Sequence, residues 1–484
     1  MRSVKLLVKD LIFPIISVAI FSVIASMNLG QPIWYDEAYS AYLIRGSFAD
    51  IWQMTALDVH PPFYYFCLKI WSGLFGSSEI ALRSMSVFFA AIGLLLAYFL
   101  FRRWFNKRTA NLASIFMALS TFLIRYALEA RMYGLIFAIV IGATLTLDIA
   151  LKSKKKSAWA CYAILIALGM WTHYFAALAW IAHLIYIGVY MYKQGLDKNV
   201  FWAYPLTVGC FLPWLPTAIK QFLDVQNGFW IPEVDINTPI GIISQGLMLE
   251  KPSAVTDWRA MLLLATFCAV VALAIKKLAT TKNQERKNFG SLGVMVAVPP
   301  FALIILSLPP FKPTFVARYV TYSIALMLGL IACIITLPSK KKERVFGIVA
   351  AILTLSCIVC GVAQTLSRSS DSATKDIITR AKQAEKTVIL FDGDEMDDFD
   401  AFFYESKESP IYETNIDFKW GALEPIRRYG QNYTEDARGL LANQNNFWRI
   451  VDKSLEKNEV FEGYSAGVKL ENDQYSAILF EKAN

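Results

Sequence analysis

The 484-residue chain is short of charge, and after residue 360 it has no cysteine at all. Only 18% of its residues are Asp, Glu, Lys or Arg, against 56% hydrophobic and 14% aromatic, with a mean hydropathy of +0.42. That is far more apolar surface than one soluble core usually holds, which excludes a soluble enzyme and leaves an integral membrane protein. All seven cysteines lie between Cys67 and Cys360, so no disulfide framework ties the last 120 or so residues together. Cys357 and Cys360 form C-x-x-C inside an apolar run, where they read as small hydrophobes. There is no glycine-rich phosphate loop, no internal repeat and no low-complexity tract. The net charge of +8 does not indicate nucleic acid, because the basic residues come in short clusters between apolar segments rather than on one soluble surface.

Those apolar segments are the dominant feature. Eleven approach the roughly 20 residues that cross a hydrocarbon core of about 30 Å: 11–28, 81–101, 109–125, 132–151, 158–172, 174–192, 201–216, 258–275, 290–308, 319–337 and 345–364. The first reads as a retained span, since no small-residue cleavage site precedes Gln31. Alternate connections carry the positive charge: Arg2, Lys5 and Lys9; Arg102, Arg103, Lys107 and Arg108; Lys152 and Lys154 to Lys156; Lys193 and Lys198; Lys276, Lys277, Lys282, Arg286 and Lys287; Lys340 to Lys342 and Arg344. Basic ends face the cytoplasm, so the expected topology is N-terminus in and C-terminus out.

The expected architecture is therefore an α-helical polytopic membrane domain over 1–364 and a small α/β domain outside the membrane over 365–484. Within the first, the outer loop 29–80 carries stretches 38–55 and 62–75 that read as short helices along the membrane surface. A second outer loop, 217–257, holds Trp230, Glu233, Asp235 and Glu250. In the tail, 387–391 (TVILF), 447–451 (FWRIV) and 476–480 (SAILF) read as strands. The acidic cluster Asp392, Asp394, Glu395, Asp397, Asp398 and Asp400 lacks the ligand spacing of a calcium loop and reads as a solvated, dipole-favoured helix start.

With this topology, the ionisable groups beside the membrane collect on one face. Asp36 and Glu37 follow the first span in WYDEAYS, and Asp58 and His60 stand in DVHPPFYY. Glu129, Arg131 and Tyr133 occupy EARMY, His173 lies in WTHYF, and Arg318 and Tyr319 in FVARYV. Polar groups at membrane depth are costly unless paired or wetted, and their gathering at one face marks a substrate site. Asp36 and Glu37 could instead cap a helix beginning near Ala38, His60 could shape a turn before Pro61 and Pro62, and Arg131 could snorkel to headgroups. His183, roughly 15 Å deeper than His173 along a helix, reads as a packing residue.

The order WYDEAYS, D-x-H-P-P-x-Y-Y, ARMY, THY and ARY resembles bacterial members of glycosyltransferase family 39, which stand with the protein O-mannosyltransferases and aminoarabinose transferases in the GT-C superfamily. The resemblance covers about residues 1–364 and is strongest over 30–180. It implies a transferase that takes a sugar from a polyprenyl-phosphate carrier on the outer face of the cell membrane, without nucleotide, and passes it to an envelope glycan, lipid or protein. It also implies that Asp36 is the catalytic base, with Glu37 beside it. The chain departs from many relatives at Leu128, where they carry Gln.

The residue types suit that chemistry. An acceptor hydroxyl is a poor nucleophile, so a carboxylate must take its proton during attack on the anomeric carbon. The departing polyprenyl phosphate gains negative charge that Arg131 and Arg318 can meet with fixed donors. One displacement with one base inverts the anomeric centre, whereas retention would need a second, nucleophilic carboxylate. Asp58, His60 and Glu129 either hold a divalent metal, which the sequence does not require, or orient the sugar or Asp36 by hydrogen bonds. The rival reading is a lipid-linked sugar flippase or other transporter, which should instead place ionisable groups near mid-membrane, often with inverted repeats.

Overall fold

The computed structural model describes residues 2–227, 231–235, 270–276, 283–337, 341–367, 372–393, 398–413, 424–429, 432–434, 436–455 and 461–483, with single positions at 238, 241 and 268. Most of the expected span 258–275, together with Trp230, Glu250, Lys277, Lys282, Lys340, Asp394, Glu395 and Asp397, lies outside the described residues. The chain divides into two compact units. Met1–Leu29 joins Arg83–Arg368 in the first, and Gly30–Leu82 joins Ser369–Asn484 in the second.

In the first unit a helix stands at each of the ten apolar stretches that are described: Arg2–Ser26, Glu79–Trp104, Lys107–Ala118 with Thr121–Ala127, Tyr133–Ser153, Lys156–Thr172, Ala176–Gln194, Val200–Phe211, Asn283–Ile305, Thr321–Thr336 and Lys341–Ser367. Among the described residues five helices are long and apolar enough to cross a membrane unaided, and six if the bent pair counts as one. The bend arises because Ser120 accepts a hydrogen bond from the Leu123 amide at 3.2 Å and caps a new helix inclined at 56° to the one before it.

The Tyr133–Ser153 helix is apolar and buried on nearly every side, which is the pattern of a helix packed among others. Its first turn touches Glu79–Trp104 so closely that a Cβ at Gly134 would lie 2.2 Å from the carbonyl oxygen of Ser86. Near its other end Asp148 is fully buried. It pairs with Arg103, accepts from Lys152 at 2.8 Å and from the Tyr186 hydroxyl at 2.9 Å. Three helices are thereby tied at one carboxylate. His183 is a packing residue that links Ala176–Gln194 to Tyr133–Ser153 and Lys156–Thr172, bonded to Thr144 at 2.9 Å and to Tyr162 at 3.2 Å.

In the second unit residues 30–82 form three short helices, Tyr35–Leu43, Phe48–Thr55 and Phe63–Phe75. The expected helix over 38–55 is thus two, separated where Ser47 opens Phe48–Thr55 with a reciprocal Ser47–Asp50 capping box. The tail forms a five-stranded sheet of β1 (Val388–Asp392), β2 (Ile411–Glu413), β3 (Asn446–Asp452), β4 (Tyr464–Glu471) and β5 (Tyr475–Lys482), in the order β2-β1-β3-β5-β4. β1 runs parallel to β2 and β3, and β5 antiparallel to β3 and β4. Val388, Leu390, Phe447, Phe480 and Leu441 bury one face, while the Ala373–Ala384 helix contributes the buried Ile377, Ile378 and Ala381. The molecule is a helical membrane protein with a small C-terminal α/β unit.

Candidate active site

The ten site residues expected from sequence fall into two groups, one in each unit. In the first unit four chain segments converge. The bend between Ala127 and Tyr133 holds Glu129 and Arg131, both buried, and the Ser86 hydroxyl donates to the Arg131 carbonyl at 3.0 Å. Tyr133 begins the following helix and His173 ends Lys156–Thr172. Arg318 and Tyr319 sit in the short 3₁₀ turn Ala317–Val320. The side chains of Tyr133, His173, Arg318 and Tyr319 meet around aromatic rings. His173 lies 4.9 Å from Tyr319 and 6.3 Å from Tyr133 between ring centroids, and the Arg318 guanidinium is 5.7 Å from the centre of the Tyr133 ring.

This setting fixes the histidine. The backbone N–H of Phe175 donates to His173 Nδ1 at 3.3 Å, so in the neutral ring the proton is on Nε2. Phe175 also stacks on Tyr319 at 5.0 Å, and its carbonyl accepts from the Tyr322 hydroxyl at 3.0 Å. Sequence reasoning passed over Phe175 and Ser86. Phe175 could have been found as the last residue of the THYF run, whereas Ser86 carries no signal. The half-buried Arg318 guanidinium thus stands beside an aromatic face.

In the second unit Asp36 and Glu37 occupy the first turn of Tyr35–Leu43, whose N-cap position is Trp34. They are therefore inside the helix and not its caps. Asp36 is half-buried and Glu37 fully buried. Asp58 and His60 form a pair at 3.3 Å through Nδ1. The two motifs meet through rings, since Tyr65 of HPPFYY packs edge-on against Tyr39 of WYDEAYS at 6.3 Å. Among the described residues no group of three or more His, Cys, Asp or Glu side chains gathers closely enough to hold a metal ion. The Asp58–His60 pair offers two possible ligands.

The fold has counterparts among solved structures. Over nearly its whole length the chain is similar to the crystal structure of ArnT from Cupriavidus metallidurans bound to undecaprenyl phosphate, with a TM-score of 0.61, 12% identity, and coverage of 96% of this chain and 97% of that one. The same protein in its apo state gives 0.60 at 13% identity, covering 99% and 98%. The archaeal oligosaccharyltransferase AglB from Archaeoglobus fulgidus, in complex with an inhibitory peptide and a dolichol-phosphate, gives 0.51 at 11% identity, covering 92% of this chain and 69% of that one. Residues 59–218 match the family described as dolichyl-phosphate-mannose-protein mannosyltransferase, a stretch that includes HPPFYY, ARMY and THY. These likenesses show that the chain shares the fold of these membrane proteins. No curated protein sequence matches it.

Proposed function

We propose that this chain transfers a sugar from a polyprenyl-phosphate carrier to a cell-envelope acceptor, with the N-terminus inside, eleven spans, and the reaction on the outer face. Asp36 takes the proton of the acceptor hydroxyl as its oxygen attacks the anomeric carbon. The bond from that carbon to the phosphate oxygen breaks, and polyprenyl phosphate departs with inversion. Arg131 and Arg318 meet the negative charge of the phosphate. The observation that supports the donor class is the whole-length likeness to a protein crystallised with undecaprenyl phosphate. The convergence of Arg318 with Tyr133, His173 and Tyr319 supports the phosphate contact, and the half-buried position of Asp36 in a helical first turn supports its role as base.

The test is transfer from a synthetic polyprenyl-phosphate sugar to envelope extract by the full chain in detergent, with donor binding measured separately. Asp36→Asn keeps shape and hydrogen bonding but cannot accept a proton, so turnover should fall by about 10² to 10⁴ while donor affinity is retained. Arg318→Ala should weaken donor binding as well as rate, because the phosphate is charged in both ground and transition states. Wild-type turnover in Asp36→Asn would refute the mechanism. Mass spectrometry of envelope glycans from cells with and without the protein would identify the sugar and its acceptor.

A further inference from the structure

The Tyr35–Leu43 helix that carries Asp36 has nine residues, too few to be stable alone in water. Trp34 at its N-cap position is a donor-only side chain that cannot accept from the first-turn amides. What holds it comes from the far end of the chain. Tyr35, Tyr39 and Tyr42 lie on one helical face and all three meet Phe399 edge-on, at 5.8, 5.5 and 5.4 Å between ring centroids. Phe399 is fully buried. Tyr42 also stacks on Tyr429 at 5.8 Å, and the Tyr429 hydroxyl donates at 3.0 Å to the Leu43 carbonyl in the last turn of the helix. At the other end the Ile33 amide donates to the Tyr404 hydroxyl at 3.0 Å.

Just beyond the helix, Arg45 lies 4.5 Å over the Tyr42 ring. It pairs with Glu405 at 2.6 Å and donates to the Phe402 carbonyl at 2.8 Å and to Asn432 at 3.3 Å. Next to it, Gly46 permits the approach of Tyr429, whose hydroxyl oxygen would lie 2.2 Å from any Cβ there.

We infer that Phe399, Phe402, Tyr404, Glu405, Tyr429 and Asn432 are the support of the Asp36 helix, with Phe399 and Arg45 as its positioning residues, so that the tail takes part in catalysis by fixing the base. This rests on the reading of Asp36 as base. Positioning through a packed aromatic cluster should appear in turnover and leave donor affinity unchanged.

The experiment uses the full chain in detergent with three variants, Phe399→Leu, Arg45→Ala and Arg45→Lys. In the first two, amides of 35–43 should exchange with deuterium at least about tenfold faster while those of 133–153 keep their protection. Turnover should fall by about 10² with the donor KM within about twofold of wild type. Arg45→Lys keeps the charge but not the fork of donors, and should recover part of the loss. Unchanged exchange over 35–43, or faster exchange with undiminished turnover, would overturn the inference. If Asp36→Asn kept wild-type turnover, the base assignment would fail instead, and the exchange data would still decide whether Phe399 and Arg45 hold the helix.

Discussion

Gly134→Ala would drive a methyl group into the closest helix contact near the Arg131 bend. The new Cβ would stand 2.2 Å from the Ser86 carbonyl oxygen and 3.0 Å from its carbon. Both are backbone atoms, so no side chain can turn aside. Ordinary contact begins near 3.4 Å, and the helices must therefore part by about 1 Å or tilt. Overpacking of this kind costs about 1–3 kcal/mol. Parting the helices also strains the bond from the Ser86 hydroxyl to the Arg131 carbonyl, and it shifts Tyr133, on which Arg318 rests. A displacement of about 1 Å in a positioning element lowers turnover by about 10². The assay pairs a denaturation midpoint in detergent with the transfer rate per folded molecule. Gly188→Ala serves as control, because its new methyl meets nothing within 4 Å and should leave stability equal or slightly raised. If Gly134→Ala matched wild type in both midpoint and rate, the close packing at the Arg131 bend would have no part in function.

Two further outcomes follow from groups away from the proposed chemistry. Asp148→Ala breaks a buried ion cluster, but the Arg103 and Lys152 side chains are 38% and 30% exposed and can turn to water or headgroups. The loss should therefore be about 3 kcal/mol, at the low end for such pairs, and smaller for Asp148→Asn, which keeps an acceptor for Tyr186; an Asp148→Ala protein as stable as wild type in a denaturant titration would refute this. Burial pushes the Cys67 thiol from an ordinary 9.0 up to about 11. With the other cysteines replaced, its alkylation at pH 8 should run about a hundredfold slower than that of an exposed thiol and keep rising with pH to about 11, and a plateau near pH 9 would contradict it.

Features set by local composition were the legible ones. Bilayer thickness imposes long apolar runs, and helices occur at all ten runs that are described. β1, β3 and β5 were legible as buried apolar strands. β2 has only three residues, and β4 is mostly exposed with a register shift between Ala466 and Lys469, so neither carries a hydrophobic signature. The break at Ser120 had a readable cap signal that was overridden by the apolar run around it. Within each unit some of the site motifs come together, with Tyr133, His173 and Tyr319 gathered in one and Tyr39 and Tyr65 in the other. The alliance of 30–82 with the tail was not legible. It depends on three tyrosines of one helix meeting one phenylalanine more than 350 residues away, and no local pattern encodes such a partner.

That alliance gives the protein a history in time. Arg45 and the Phe402 carbonyl it binds are 357 residues apart, and a ribosome adding roughly 5–20 residues per second needs about 20–70 s to travel between them. For that interval the WYDEAYS segment has been made while the residues that order it do not yet exist. An unfinished chain can settle its helices in the bilayer, one after another, and still carry its acidic residues on an unbraced loop. If Asp36 is the base as proposed, sugar transfer must wait until synthesis has passed Asn432, so the order of synthesis itself would hold a nascent chain inactive.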